Sequence, residues 1–401
     1  MTIFNTVYWW GGTPTSKYKY LTYTLDQTQS NPASMITAIS EDAQSMSSSD
    51  VINLIGAYPV LLDNSGNEYR KLNPSNFQQF EDWTDASGYI ANANYDVMIA
   101  FPRRWYKIST SNNITTFSLT DDPDNPEYTY LPWQRLVSWT LWSNASFQDK
   151  DKFYLGAYKW IVDSSKLRSW YNKSPTVNTY IYDFNAQTMT NKWTNWWITE
   201  FVQETYLELC FMAIYKTTNA QTAIWRWYVG ASESSYPWPA SWVNTYNKGM
   251  IYWTTSWTEP MKFLWLEHRY GGIWEWVNGW TQDSNWVHIS IPDTTNSNRS
   301  KNSSYDYAPS WNINVWSISL TNWAYITKVQ GSQFGWFTPT NNSWGSDSTY
   351  FTDYAYRISG SRVAVFGGRW HDASQCGSFF WSLITAASTR AASIGARLMF
   401  L

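Results

Sequence analysis

Apolar and polar residues alternate in short runs along this chain, and the runs change character at a few places. In residues 1–88 they are brief, as at Tyr18, Leu21 and Tyr23 or from Val51 to Ile55, and Asn, Ser, Asp and Pro break them. Asn31 and Pro32 stand before Ala33-Ser34-Met35-Ile36-Thr37-Ala38-Ile39, an N-cap with Pro at the first helical position, which predicts one short helix. This stretch reads as a small β-rich module of mixed α and β elements. From Asp96 onward the period-2 pattern strengthens and predicts strands at 97–101, 105–110 and 114–119, with Asn112-Asn113 as a hairpin turn. At 194–215 the period lengthens: Ile198, Val202, Thr205/Tyr206, Leu209 and Ala213 recur at three and four, with Glu200, Glu204 and Glu208 on another face, which predicts a helix. A shorter helix is expected at 219–229. Beyond it the chain is rich in Asn, Ser and Thr and reads as loop to about 360, and strand character returns at 362–366 and 394–401. The fold class expected from this pattern is α+β, with residues 1–88 as a small N-terminal module and 89–401 as one larger domain carrying long irregular loops.

The chain has 401 residues, enough for a sizeable core and more than one domain. Lys plus Arg is 28 and Asp plus Glu is 31, for a net charge of -3, with no block of like charge. That balance argues against a phosphate-tracking surface and so against nucleic acid as a partner. The N-terminus, MTIFNTVYWWGG, lacks the basic start and continuous apolar core of a secretion signal. No apolar run reaches the roughly 18 residues of a membrane helix, so membrane insertion is not expected. Cys210 falls beside the predicted helical stripe and reads as a packed thiol, and Cys376 lies far from it, so no disulfide framework is indicated. His268, His288 and His371 share no zinc-binding spacing. Oxygen-rich stretches at 121–125 and 293–298 have the donors to hold calcium and equally read as solvated loops. No repeat or heptad encodes a solenoid or a fibre shaft.

Tryptophan changes the picture. The chain has 30 Trp and 19 Gly, where an average Gly usage of about 7% would give roughly 28. Several Trp stand where turn chemistry calls for glycine: Trp9-Trp10 before Gly11-Gly12, Trp170 after Leu167-Arg168-Ser169, Trp257 after Thr255-Ser256, and Trp344 after Asn341-Asn342-Ser343. An indole suits a positive-φ turn position badly. One explanation is that UGA codons read as glycine have been written as Trp. The alternatives are carbohydrate-stacking platforms and ordinary core or interface packing.

The segment at 367–401, GGRWHDASQCGSFFWSLITAASTRAASIGARLMFL, places small, polar and aromatic residues of no regular period between a glycine pair with Trp370 and a closing Ile394-Gly395-Ala396-Arg397-Leu398. This layout resembles the variable region of the target proteins of diversity-generating retroelements, a group that includes phage major tropism determinants. Three further segments match that family in order: Gly271-Gly272-Ile273-Trp274-Glu275-Trp276-Val277, Lys152-Phe153-Tyr154-Leu155-Gly156-Ala157-Tyr158-Lys159, and Asp96 to Pro102. The resemblance covers about residue 90 to the C-terminus and implies a C-type-lectin-like domain of the formylglycine-generating-enzyme type. Gly272 replaces the family's usual Asn, which weakens transfer of its calcium loop.

The resemblance implies a fixed scaffold at Gly367, Gly368, Trp370, Gly377, Phe379, Ile394, Gly395, Arg397, Trp274 and Trp276, so Trp274, Trp276 and Trp370 are expected to be genuine tryptophans. It implies ligand-binding variable positions where adenine-mutagenised codons ending in a pyrimidine can reach the residue: Arg369, His371, Asp372, Ser374, Phe380, Ser382, Ile384, Thr385, Thr389, Arg390, Ala391 and Ser393. Such codons cannot encode Gln375 or Trp381. Phe380, His371 and Arg369 are the expected anchors.

The enzymatic branch of the fold uses a cysteine pair, which Cys210 and Cys376 do not form in this reading, so no catalysis and no cofactor are expected. His371 and Asp372, adjacent on an extended loop, do not read as a catalytic dyad. The implied function is a displayed binder, on a virion tail or a cell surface, for a cell-surface protein or glycan, with a homotrimer as the family's assembly. The rivals are a non-varying, Trp-rich glycan lectin and a structural phage tail protein.

Overall fold

Strands dominate the computed structural model, which describes residues 17–92, 94–138, 146–163, 166–171, 173–191, 195–224, 229–230, 246–254, 261–283, 286–291, 313–315, 318–320, 323–332 and 335–401. Among the described residues there are 27 strands and only 6 α-helices, most of the latter a turn or two long. The expected α+β class is therefore corrected to a β-dominated fold. The physical reason lies in the region read as loop: its Tyr, Val, Thr and Phe residues form short strands that pair with distant partners, and pairing of this kind leaves little periodic signature in a local window.

Three sheets carry the architecture. One runs in the order Ile36–Ala38, Tyr20–Asp26, Ile114–Thr120, Trp105–Ser111. A second runs Trp196–Ile198, Leu398–Phe400, Lys152–Gly156, Tyr95–Pro102, Tyr58–Asp63, Glu68–Asn73, Asn76–Phe80. The third runs Ile313–Val315, Val287–Ile289, Trp274–Gln282, Arg362–Phe366, Trp381–Thr385, Tyr354–Arg357, Ala324–Tyr325, with Ile394–Gly395 parallel to the start of Trp274–Gln282. The division at residue 88 does not survive this topology. Tyr58–Asp63 pairs along its length with Tyr95–Pro102, and Tyr20–Asp26 pairs with Ile114–Thr120. Residues before and after the expected boundary share two sheets and one buried cluster.

The hairpin Trp105–Ser111 and Ile114–Thr120 forms as its alternation predicts, with Asn112 in the left-handed region at φ 56. The helix expected at 33–39 does not form. Asn31 accepts a bond from the Ala33 amide and closes a tight turn, after which Ile36–Ala38 joins Tyr23 to Leu25 in an antiparallel ladder. Tertiary pairing of a β-branched pair, Ile36 and Thr37, overrides the Asn-Pro start signal.

The long helix is Phe201–Tyr215, preceded by the strand Trp196–Ile198 and stopped by Lys216 in the left-handed region at φ 52. Glu200, Glu204 and Glu208 are buried, not solvated. Arg269 pairs with Glu204, the Trp381 indole N–H donates to Glu208 at 2.8 Å, and the Gln203 amide donates to the Pro132 carbonyl at 2.6 Å. The helix is thus a central pillar, apolar and polar faces alike enclosed by partners far away in sequence. Cys210 is packed among them, as its position beside the stripe suggests. The second expected helix is reduced to Ala220–Ala223, capped by the Asn219 side chain, and its remainder at 225–228 lies outside the described residues. Among the described residues no helix is long and apolar enough to cross a membrane.

Candidate functional site

The tail is anchored at both ends before any of its side chains can face outward. After the strand Arg362–Phe366 the chain turns through Gly367 and Gly368 at φ 89 and 79, and a Cβ on Gly368 would lie 2.1 Å from the Cys376 sulfur. Only glycine fits there. The two glycine pairs are stitched together: the Gly271 amide donates to Gly367 at 2.9 Å and the Trp370 amide to Gly272 at 3.0 Å. At the other end the Arg397 guanidinium is buried, donating to the carbonyls of Gly156 and Glu267 and pairing with Glu275 at 2.9 Å. Burial works to raise the Glu275 pKa, but Arg397 and Lys159 outweigh it and hold it below the ordinary value. Lys159 is itself lowered to about 8 by burial, with Glu275 opposing. A buried ion pair with its remaining donors bonded to carbonyls locks the terminal strand in one position, and removing either partner would leave a charge unpaired.

Between the anchors, the first turn is built on Asp372. Its carboxylate accepts the Arg369 amide at 3.0 Å, the Arg369 side chain at 3.1 Å and the Trp274 indole N–H at 2.9 Å, while the Arg369 guanidinium lies 4.1 Å over the Trp274 ring. Asp372 is buried and its pKa is raised, because burial exceeds the opposing pull of Arg369. A short 3-10 turn, Ala373–Gln375, follows, with the Ser374 hydroxyl 2.8 Å from that of Tyr325. The strand Trp381–Thr385 then lies between Arg362–Phe366 and Tyr354–Arg357. Trp381 and Leu383 enter the buried cluster on one face, and Phe380 enters the cluster on the other with Trp274 and Trp276. The chain leaves this strand through 386–393, where the Asn178 amide donates to Ala391 at 3.0 Å and the Arg390 guanidinium lies over the Tyr180 ring.

This geometry divides the expected variable positions. Arg390 is exposed, and Arg369, His371, Ser374, Ile384, Thr389 and Ala391 are partly exposed. Asp372, Phe380, Ser382, Thr385 and Ser393 are buried, so their expected role as ligand contacts is corrected. Phe380, Ser382 and Thr385 belong to a strand covered on both faces or to its immediate approach. Asp372 is enclosed by its own turn, and the Ser393 carbonyl is tied to the Trp274 amide at 2.8 Å. Among the expected anchors, Arg369 and His371 therefore remain available and Phe380 does not. The scaffold positions Gly367, Gly368, Trp370, Gly377, Phe379, Ile394, Gly395, Arg397, Trp274 and Trp276 are all buried.

Sequence reasoning missed an aromatic strip beside the tail. Tyr354 and Tyr356 project from one face of the strand that pairs with Trp381–Thr385, and Tyr325 lies directly opposite Tyr354. Trp323 stacks on Tyr356 at 4.5 Å, and Tyr325 meets Tyr354 edge-on at 4.3 Å. All four are partly exposed, and Trp323, Tyr354, Ile384 and Ala391 pack onto the same buried cluster. The alternation Tyr354-Ala355-Tyr356 was the available signal.

Both thiols, Cys210 and Cys376, are free and buried, and burial raises their pKa values, Cys210 to about 12. In the stretch 121–125, Asp121 accepts the Lys19 amide, Asp122 the Tyr20 hydroxyl and the Asp124 amide, and Asn125 the Glu127 amide. The other oxygen-rich stretch, 293–298, and Trp9, Trp10 and Trp257 lie outside the described residues. Among the described residues no group of His, Cys, Asp and Glu is arranged to hold a metal ion.

No family model matches the chain. No curated protein matches it either. A solved structure titled Major Tropism Determinant U1 Variant aligns with a TM-score of 0.27 at 11% identity, covering 86% of this chain and 71% of that one. An alignment that shallow establishes no shared fold.

Proposed function

We propose that this chain is a receptor-binding protein of the phage-tail or displayed type, whose ligand face is formed by the partly exposed tail side chains Arg369, His371, Ser374, Ile384, Thr389, Arg390 and Ala391. The observation that carries the reading is the contrast between anchor and side chain. The backbone at 367–372 and 394–397 is held by buried glycine contacts, the Asp372 turn and the Arg397–Glu275 pair, while these seven side chains keep some or all of their surface exposed. A preorganised backbone lowers the ordering cost of binding, so affinity can be set by a few side chains. Changing Ile384, Thr389, Arg390 or Ala391 leaves that support in place, whereas the Arg369 side chain also braces the Asp372 turn.

The finer reading is that a retroelement diversifies these positions and that the partner is a cell-surface protein or glycan. The chain reads as a binder rather than a thiol enzyme: its two thiols are buried and disfavoured as thiolates. The test is the locus and the binding assay together. A reverse transcriptase gene beside a near-copy of the 3′ end differing at adenines supports diversification, and its absence removes it. Replacement of Arg369, His371, Ile384 and Arg390 by Ala is expected to abolish adsorption to the receptor-bearing cell. Unchanged adsorption would overturn the tail as the ligand face and leave a structural tail protein or a binder that acts elsewhere on the fold.

A second reading is favoured by the aromatic strip. Trp323, Tyr325, Tyr354 and Tyr356 present ring faces and hydroxyls of the kind that stack on sugars. A fixed glycan lectin would bind an array of sugars with the tail residues replaced by Ala and lose that binding on Trp323→Ala and Tyr356→Ala.

A further inference from the structure

We infer that Trp83 and Trp344 are glycines in the native protein, written as tryptophan because the cell that makes this chain reads their UGA codons as glycine. The backbone at these positions carries the inference. Glu81, Asp82 and Trp83 form a three-residue hairpin loop: the Trp83 amide donates to Phe80 at 2.9 Å, the Phe80 amide donates to Thr84 at 2.8 Å, and Gln79 bridges Asp85 beyond them. Trp83 has φ 67. That is a type I turn followed by a left-handed residue, the hairpin position where glycine is the standard occupant. Trp344 follows an Asn341 side chain that accepts the Ser343 amide at 2.8 Å, and it turns the chain at φ 70.

The side chains give no compensating return. Trp83 is 71% exposed and Trp344 96% exposed, so neither indole buries the area that would offset a strained backbone. Twelve described non-glycine residues stand at positive φ: three Trp (Trp83, Trp265 and Trp344), three Asn (Asn112, Asn178 and Asn195), and Lys216, Leu264, His268, Tyr350, Thr352 and Ala373; of these only Trp83 and Trp344 are large apolar side chains left exposed. Asn is the type whose short polar side chain tolerates that region, and a bulky ring is an outlier there. The composition agrees, with 30 Trp in excess and 19 Gly in deficit.

A second population of Trp behaves differently. Trp133 is fully buried, donates its indole N–H to Phe101 at 2.8 Å and packs edge-on against Tyr206 at 4.8 Å. Trp274 donates to Asp372 at 2.9 Å. These are tryptophans that the fold uses. Trp265 combines φ 63 with a buried indole that donates to Pro74 at 2.8 Å, so backbone and side chain point to opposite identities and its codon decides it. The functional consequence is that Trp83 and Trp344 are not sugar platforms, and the lectin reading draws on the strip of Trp323, Tyr325, Tyr354 and Tyr356 instead. The inference is independent of the proposed binding role.

The experiment reads the codons at 83 and 344, with 133 and 274 as controls, and weighs the corresponding peptides of the native protein by mass spectrometry. The expected result is UGA with a glycine mass at 83 and 344 and UGG with a tryptophan mass at 133 and 274. UGG codons at 83 and 344, or an indole mass in their native peptides, would overturn the inference. In chain expressed with all Trp, Trp83→Gly and Trp344→Gly are each expected to raise Tm, whereas Trp133→Gly is expected to lower it sharply. A lowered Tm for both turn variants would count against it.

Discussion

Two stretches of the tail, the strand Trp381–Thr385 and the loop 386–393 that follows it, both carry serine and threonine yet place them in different environments. The strand lies between two others and is covered on both faces, so even Ser382 is fully buried. The loop is tied through main-chain bonds at Ala386 and Ala391 and leaves Ser388 and Arg390 exposed. Composition alone does not separate what can be exchanged from what must be kept. Pairing does for most of them: the central strand buries all its side chains but that of Ile384, while the loop, tied largely through its carbonyls, buries Ala387 and Ser393 and leaves the rest at least partly exposed.

The comparison breaks first at the anchors. Glu275→Gln leaves the buried Arg397 with a neutral partner, and breaking such a pair costs about 3–5 kcal/mol; denaturant unfolding should show a loss of that order. The acid limb should change too. Glu275 has a folded pKa below its ordinary 4.5, so its contribution is present above that value and lost as pH falls through the lowered one. The variant should lose less stability than the parent over that acidic window.

Next in size, Phe380→Ala removes a ring stacked at 6.3 Å from Trp274 within a closed cluster. Roughly 3–5 kcal/mol is expected at such a site. Loss below about 0.5 kcal/mol would place Phe380 on the surface after all.

A smaller effect sharpens the account of the strand's support. Burial raises the pKa of Glu208, which accepts from Trp381, and of Asp353, which accepts the Phe379 amide at 2.9 Å. A raised carboxyl contributes stability that is fully present below its unfolded value, near 3.8 for Asp, and lost as pH rises towards the folded one. Stability from these groups should therefore fall as pH rises above about 4, and Asp353→Asn should flatten that slope in thermal melts. A slope unchanged in the variant would separate Asp353 from the effect. The smallest change is at the loop: Arg390→Ala should shift stability by less than about 0.5 kcal/mol while weakening adsorption.

The parts of this fold legible in the sequence are those whose partners are close. The hairpin 105–120 could be read because Asn112-Asn113 and the alternation on either side lie in one window. The burial of Glu204 and Glu208 could not, because Arg269 and Trp381 lie 65 and 173 residues away. The ends of the site were legible for a similar reason, since paired glycines announce close backbone approach. Its interior was not: Phe380 and Ser382 are enclosed by 354–357 and 362–366, and the strip at Trp323, Tyr325, Tyr354 and Tyr356 forms only when three separate segments pair.

The central claim is that a fixed, buried frame presents a replaceable outer set of side chains, and sequencing the 3′ end of this gene across independent isolates tests it most directly. Substitutions are expected to concentrate at Arg369, His371, Ser374, Ile384, Thr389, Arg390 and Ala391, with Gly367, Gly368, Trp370, Phe380 and Arg397 unchanged. Identical tails in every isolate, or substitutions spread equally over buried and exposed positions, would contradict it.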